Sequence, residues 1–130
     1  MVNIPFLAAA LLLTAAFFAH LIVGTRETLS LRTGGEKDRR NWMQALCVFQ
    51  LVSVDLFLTA AAAYLLACTQ MAGARREIAY FIAAYLGVWG VVWLVQLKAA
   101  GCGGKNYYLL GQWIMFFLCS GLMVWGAQAL

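Results

Sequence analysis

The sequence predicts an all-α protein, a single four-helix transmembrane bundle over residues 1–130 with short loops. Of its 130 residues, 65% are hydrophobic and only 11% are charged, whereas a soluble domain carries about 25% charged residues. A chain of this size buries only about 60–70% of its surface on folding, so one core cannot hide so many apolar side chains. The mean hydropathy of +0.84 therefore excludes soluble globular, disordered and disulfide-scaffold classes.

Four apolar runs are long enough to cross a ~30 Å hydrocarbon core, which takes ~20 residues. Lipid offers no hydrogen-bond partners to the backbone, so each run is expected to be helical. The first run contains Pro5, the only proline, which is tolerated in the first turn of a helix. Trp42 and Tyr107 open the second and fourth runs, as aromatic residues do at membrane interfaces. The predicted helices span residues 4–23, 42–67, 78–97 and 107–130.

Lysine and arginine residues predict the orientation in the membrane. Loop 1 (residues 24–41) carries five of them and loop 3 (residues 98–106) carries two, which makes seven on one side of the membrane. Loop 2 (residues 68–77), on the other side, carries two. The positive-inside rule then places loops 1 and 3 in the cytoplasm and both termini outside. We expect a bacterial inner membrane location. The net charge of +4 is thus a topology signal, and no nucleic-acid partner is predicted, because no folded basic face is present.

Asp55 is the only acidic residue inside a predicted span. A carboxylate at the bilayer centre costs at least about 2.5–3.5 kcal/mol, so such acids are default candidates for functional sites. No lysine or arginine lies within two turns of Asp55 on its own helix. We therefore expect a protonated carboxyl that donates to a backbone carbonyl or to Thr59. Proton-coupled transport and a contact with another subunit are the alternatives.

Four further polar side chains fall near one depth, toward loops 1 and 3, at a rise of 1.5 Å per residue. Glutamine has both donors and an acceptor, and neutral histidine has one of each, so these side chains could bond one another across helices. The expected role is interhelical attachment at about 0.6 kcal/mol per bond, and a ligand or proton site is the alternative. The layer comprises His20, Gln50, Gln96 and Gln112.

Chemistry-bearing motifs are missing from the sequence. Cys47, Cys68, Cys102 and Cys119 share no depth and form no C-x-x-C, so neither a disulfide nor a metal site is predicted. His20 is the single histidine, and a metal needs three or four ligands. We expect no catalytic residues, no enzyme activity and no haem or pigment held by this chain alone; a bound lipid is compatible with it.

Small residues on the third predicted helix indicate a packing face. Ala83 and Gly87 are four residues apart, and Gly90 follows about one turn later. Small side chains allow helices to approach closely in membranes. The sequence therefore predicts close helix packing along Ala83, Gly87 and Gly90.

Short motifs in three helices carry a resemblance. The first helix ends with His20-x-x-x-Gly24-x-Arg26, the second contains CVFQLVSVDL and the fourth opens with GQWIMFF. In these features the chain resembles, over nearly its whole length, a group of small, four-helix, mostly bacterial membrane proteins of unassigned function. Those proteins carry W-H-L-x-[ST] in the second helix, and Gln50 stands where that histidine is expected. The resemblance implies a fold and no activity.

Two functions are compatible with these features. The first is a non-catalytic accessory or structural subunit of a larger membrane complex, with membrane lipids and other membrane subunits, or further copies of itself, as partners. The alternative is a small proton-coupled transporter or channel-like homo-oligomer that uses Asp55 and the His20, Gln50 and Gln112 layer.

Overall fold

The computed structural model describes residues 2–32, 34–69 and 73–130, and these residues form helices and connecting turns with no strand. The all-α prediction is thereby confirmed for this part of the chain. The helices are α1 (Ile4–Ser30), α2 (Glu36–Cys68), α3 (Arg75–Ala99), α4 (Lys105–Leu109) and α5 (Gln112–Gln128). In α1, the stretch Ala19–Gly24 is a π-helical turn between two α-helical parts.

Three of these helices, α1, α2 and α3, are long and apolar enough to cross a membrane, with 27, 33 and 25 residues. They extend past the predicted spans because a helix bonds its own backbone and can continue among charged residues outside the hydrocarbon. Glu36 and Asp38 lie in the first turn of α2, where negative charge favours the helix dipole. At 17 residues, α5 is at the lower limit of about 17 for a span.

The fourth predicted span, residues 107–130, is divided between α4 and α5, and two tryptophan side chains explain the break. Trp113 Nε1 donates to the Tyr107 carbonyl over 3.0 Å, and Trp93 Nε1 donates to the Leu110 carbonyl over 2.9 Å. Both carbonyls would accept from backbone N–H groups in a continuous helix. The N–H of Ile114 instead donates to the Gly111 carbonyl over 3.0 Å, which starts α5 afresh.

The helices pack as two antiparallel pairs. One pair is α1 with α2, the other is α3 with α5, and the two pairs are joined mainly through α1 and α5. Between α2 and α3 there is little contact. Most of the core lies in the half of the molecule near both chain ends, and its largest fully buried side chains are Phe6, Leu13, Leu86, Cys119 and Met123.

Asn3 ties three helices together near the chain ends. Its Oδ1 accepts from the Phe6 N–H over 3.1 Å, so it is the N-cap of α1. Its Nδ2 donates to the Gly126 carbonyl of α5 over 3.0 Å, and its backbone N–H donates to the Ala67 carbonyl of α2 over 3.0 Å. One asparagine therefore joins α1, α2 and α5.

Arg75 joins α3 to the same end. Its Nε donates to the Leu66 carbonyl in the last turn of α2 over 3.1 Å, and Nη2 donates to the same oxygen. The guanidinium carbon lies 5.9 Å from the centre of the Phe6 ring, in the range of a cation–π contact. We call the region of Asn3, Phe6, Leu66, Arg75 and Gly126 the closed end.

The predicted packing face of α3 lies against α5. Ala83 and Gly90 are buried, and the Ala83 carbonyl accepts from Ser120 Oγ over 2.7 Å. A Cβ at Gly90 would lie 2.9 Å from Phe117 Cζ, whereas a Cβ at Gly87 would meet only Ser120 Oγ at 3.5 Å. Of the two glycines on this face, Gly90 is therefore the one with no room for a side chain.

Candidate functional site

A cleft lies between α2 and α3, in the half of the molecule that is remote from the closed end. This half contains the residues that join α1 to α2 and α3 to α5. The cleft consists of two adjoining cavities of about 620 and 570 Å³, and Val52 of α2 and Trp93 of α3 line both. The first cavity is also lined by Val88, Trp89, Val92, Gln96, Leu97, Ala100, Cys102, Leu110 and Phe116. The second is also lined by His20, Asn41, Gln44, Ala45, Val48 and Phe49.

His20 reaches the cleft from the π-helical turn of α1. The imidazole stacks on the Phe49 ring of α2, with centroids 3.8 Å apart and planes 12° apart. A Cβ at Gly24 would lie 2.6 Å from Phe49 Cζ, so glycine leaves room for that ring. The spacing His20-x-x-x-Gly24 therefore has a structural reason, because both residues contact the same aromatic side chain. Such π turns occur frequently at functional sites.

A hydrogen-bonded chain links α1 to α2 along this wall of the cleft. His20 Nδ1 and Ser53 Oγ are 3.0 Å apart, Ser53 Oγ donates to Gln50 Oε1 over 3.3 Å, and Gln50 Nε2 donates to Thr25 Oγ1 over 2.9 Å. Serine has one hydroxyl hydrogen. While Ser53 donates that hydrogen to Gln50, Nδ1 of His20 must carry the proton and donate to Ser53.

Asp55 lies one turn from Val52, toward the closed end. Asp55 is half-buried and lies near Tyr85 of α3, whose ring centroid is 5.3 Å from that of Trp89 in the cleft. Thr59 Oγ1 donates to the backbone carbonyl of Asp55 over 2.6 Å, so the hydroxyl that we expected to accept a hydrogen bond from the carboxyl itself donates to the main chain. Asp55 and Tyr85 are thus each about one turn from a residue that lines the cleft.

The structure brings together two of the four side chains in the predicted polar layer. His20 and Gln50 are joined through Ser53. Gln96 is exposed and lines the cleft, and Gln112 is exposed at the start of α5. Neither has a hydrogen bond to the His20 network among the described residues.

Sequence reasoning missed Ser53, Thr25 and Tyr85. Ser53 is 4% exposed and is the only buried polar side chain in the described part of the chain. Its position three residues after Gln50 places both on one face of α2, and this was an available signal. Tyr85 had no comparable signal, because a tyrosine among many aromatic residues in a span does not indicate which residue it faces.

Within residues 2–32, 34–69 and 73–130, no group of three or more His, Cys, Asp or Glu side chains could hold a metal ion. Every buried side-chain nitrogen and oxygen in those ranges has a hydrogen-bond partner. Some of these groups bond within their own helix, as Thr59 does, and others, such as Ser53 and Ser120, bond between helices. The cleft beside them is mostly apolar.

No protein-family model, curated protein or solved structure matches this chain.

Proposed function

We propose that this chain is a small polytopic membrane protein that acts as a non-catalytic accessory or structural subunit of a larger membrane complex. It crosses a bacterial inner membrane four times, with α5 as the fourth span. Loop 1 (residues 24–41) and loop 3 (residues 98–106) are on the cytoplasmic side, and both termini are outside. The proposal places it with the small four-helix membrane proteins that it resembles.

The use of the polar side chains is the observation that carries this proposal. His20, Ser53, Gln50 and Thr25 bond one another between α1 and α2. The Ser120 hydroxyl donates to the Ala83 carbonyl of α3, and the Thr14 hydroxyl of α1 lies 3.4 Å from the Tyr64 hydroxyl of α2. These groups stabilise helix contacts and do not converge on a position where a substrate atom could react.

The outer surface supports a role in association. Large aromatic side chains are exposed on several helices, among them Phe57 of α2, Phe81 of α3 and Trp125 of α5. Aromatic residues are enriched at protein interfaces, and they are suited to pack against the helices of neighbouring subunits. Purification from native membranes in mild detergent tests the proposal. Co-migration with a large assembly is the expected result, and a homo-oligomer of this chain alone would contradict it.

The proposed topology predicts which cysteines react from each side. Cys68 ends α2 and is exposed, whereas Cys102 follows α3 at the opposite end. In single-cysteine variants, a membrane-impermeant maleimide added to intact spheroplasts should label Cys68 and not Cys102. Inverted vesicles should give the reverse pattern. Strong labelling of Cys102 in intact spheroplasts would show that the orientation is the opposite one.

A small proton-coupled transporter is the second candidate, because Asp55 lies near Tyr85 beside the cleft. A carboxyl that exchanges a proton inside the membrane would need such a neighbour to accept or return a hydrogen bond. The two candidate functions differ in whether Asp55 must be able to release a proton.

Replacing Asp55 with asparagine separates them. Asn keeps the size of the side chain and a hydrogen-bond donor, so an accessory subunit should assemble and support its complex almost unchanged. Asp38→Asn, which removes an exposed carboxylate in the first turn of α2, is the matched control. Loss of a pH-dependent flux in Asp55→Asn vesicles with assembly preserved would favour the transporter. Dissociation of the complex would instead indicate a partner cation left buried without its counter-charge.

A further inference from the structure

We propose that the cleft between α2 and α3 binds one acyl chain of an anionic membrane lipid, with the phosphate headgroup held at Lys98 and Lys105. The inference rests on the membrane location within the proposed function and is independent of the subunit role. It follows from the lining of the cleft, its rigidity and the charge at one end.

The lining of the first cavity is hydrocarbon and aromatic. Of its side chains, only Gln96 carries an amide, and the remainder are apolar or, as in Cys102, weakly polar. The cavity volume of about 620 Å³ falls within the 300–1,000 Å³ of small-molecule sites. An empty cavity of this size would deprive its lining of contacts on one side, whereas an acyl chain restores them.

The walls of the cavity are held open by contacts that do not involve an occupant. Trp93 is fixed by its hydrogen bond to the Leu110 carbonyl over 2.9 Å. Trp89 packs edge-on against Phe116, with centroids 5.4 Å apart and planes at 84°. These two tryptophans, both half-buried, keep α3 and α5 in place while α2 stands apart. The cavity is therefore preformed, which reduces the ordering cost of binding.

The charge at the end of the cleft selects the headgroup. Leu97, Ala100, Cys102 and Leu110 line the cavity where α3 ends and α5 begins. The chain from 97 to 110 carries Lys98 and Lys105, both exposed, and no acidic residue. Lysine binds phosphate as a point charge, and basic residues at the membrane surface attract anionic lipids. A lipid with its chain among Trp89 and Trp93 would place its phosphate at this level.

The backbone of this end is ordered by a glycine. Gly101 adopts a φ of 69° and donates to the Lys98 carbonyl over 3.0 Å, while Cys102 donates to the Leu97 carbonyl over 3.0 Å. This pair of bonds is the Schellman arrangement that terminates a helix. It sets the position of Lys98 in the last turn of α3 and leads the chain around the cavity mouth toward Lys105.

Tryptophan quenching by brominated lipids tests the proposal on the full chain reconstituted in phosphatidylcholine vesicles. Small, equal fractions of brominated phosphatidylglycerol or brominated phosphatidylcholine are added, and emission is compared. We expect stronger quenching by the anionic lipid. The Lys98→Gln/Lys105→Gln variant should weaken that preference by about fivefold for each lysine removed. Arg76→Gln, an exposed charge at the other end of α3, should retain it.

Filling the cavity gives a second, independent readout. Val92 lines the cavity, and its neighbour Val91 is equally exposed on α3 but does not line it. Val92→Phe should reduce quenching by both lipids, and Val91→Phe should leave it unchanged. Equal quenching by the two lipids in the unaltered chain, or equal effects of the two phenylalanine variants, would overturn the proposal. A cleft filled by a partner helix would give that result.

The membrane location is checked separately by flotation of the chain with the vesicles. A chain that floats and shows no anionic preference overturns only the lipid site. Failure to float would instead contradict the membrane-embedded proposal on which the site depends.

Discussion

Gly126→Ala is expected to lower the stability of the folded chain by about 1–3 kcal/mol, the usual cost of forcing a methyl group into a filled core. A Cβ at this position would overlap Cδ1 and Cε1 of the Phe6 ring and would lie 2.9 Å from Asn3 Oδ1. Phe6 is fully buried, so its ring has no free space to enter. Any shift would also disturb the bonds by which Asn3 joins α1, α2 and α5. Thermal unfolding in detergent measures the effect.

Gly121→Ala is the matched control on the same helix, because no atom lies within 4 Å of a Cβ placed there. Its stability should be unchanged or slightly higher, since alanine favours a helix over glycine by up to about 1 kcal/mol. Adding Phe6→Leu to Gly126→Ala should recover part of the loss, because the smaller side chain leaves room for the methyl group. Equal stability of Gly126→Ala and Gly121→Ala would mean that α1 and α5 do not meet at this point.

Gly90→Leu should push α3 away from α5 and should also clearly lower the stability of the folded chain. A Cβ at Gly90 would lie 2.9–3.0 Å from three atoms of the Phe117 ring, and the rest of a leucine would extend further into the same contact. Packing between helices in lipid depends on such close van der Waals contact. We expect a loss of about 1–3 kcal/mol or more, measured by thermal unfolding with retention of monodispersity as a second readout.

Gly87→Ala provides the comparison one turn earlier. Its Cβ would make an ordinary 3.5 Å contact with Ser120 Oγ, so this variant should be nearly neutral. A loss of stability in Gly87→Ala without a loss in Gly90→Leu would show that α3 and α5 are in closest contact at a different level. From spacing alone, both glycines were equivalent members of one small-residue stripe.

The all-helical class of this protein follows from its composition and its apolar runs. Its apolar runs predicted helices, and the described residues are helical, because a backbone in lipid must satisfy its hydrogen bonds locally. Three helices are long and apolar enough to cross a membrane. Residue type and position also singled out His20, Gln50 and Asp55, since a polar side chain inside an apolar run is evident from the sequence alone.

Which side chains contact each other depends on how the helices pack. The sequence placed His20 and Gln50 near one depth, but it did not show that Ser53 lies between them or that Tyr85 lies near Asp55. Depth along a helix follows from counting residues, whereas rotation about the helix axis depends on the neighbouring helices. The division of residues 107–130 likewise depends on Trp93 and Trp113, which bond the carbonyls of the intervening turn.

The cleft was also decided by tertiary structure alone. In the most apolar stretches of α1, α2 and α3, only 22%, 33% and 28% of the residues are buried within the chain. Lipid tails are as apolar as leucine, so a helix face that packs on protein and one that faces lipid have the same hydropathy. The side on which α2 and α3 stand apart therefore has no hydropathy signature. The position of the cleft depends instead on which helices pack closely, and Gly90 and Gly126 permit such packing against α5 and α1 because they have no side chain.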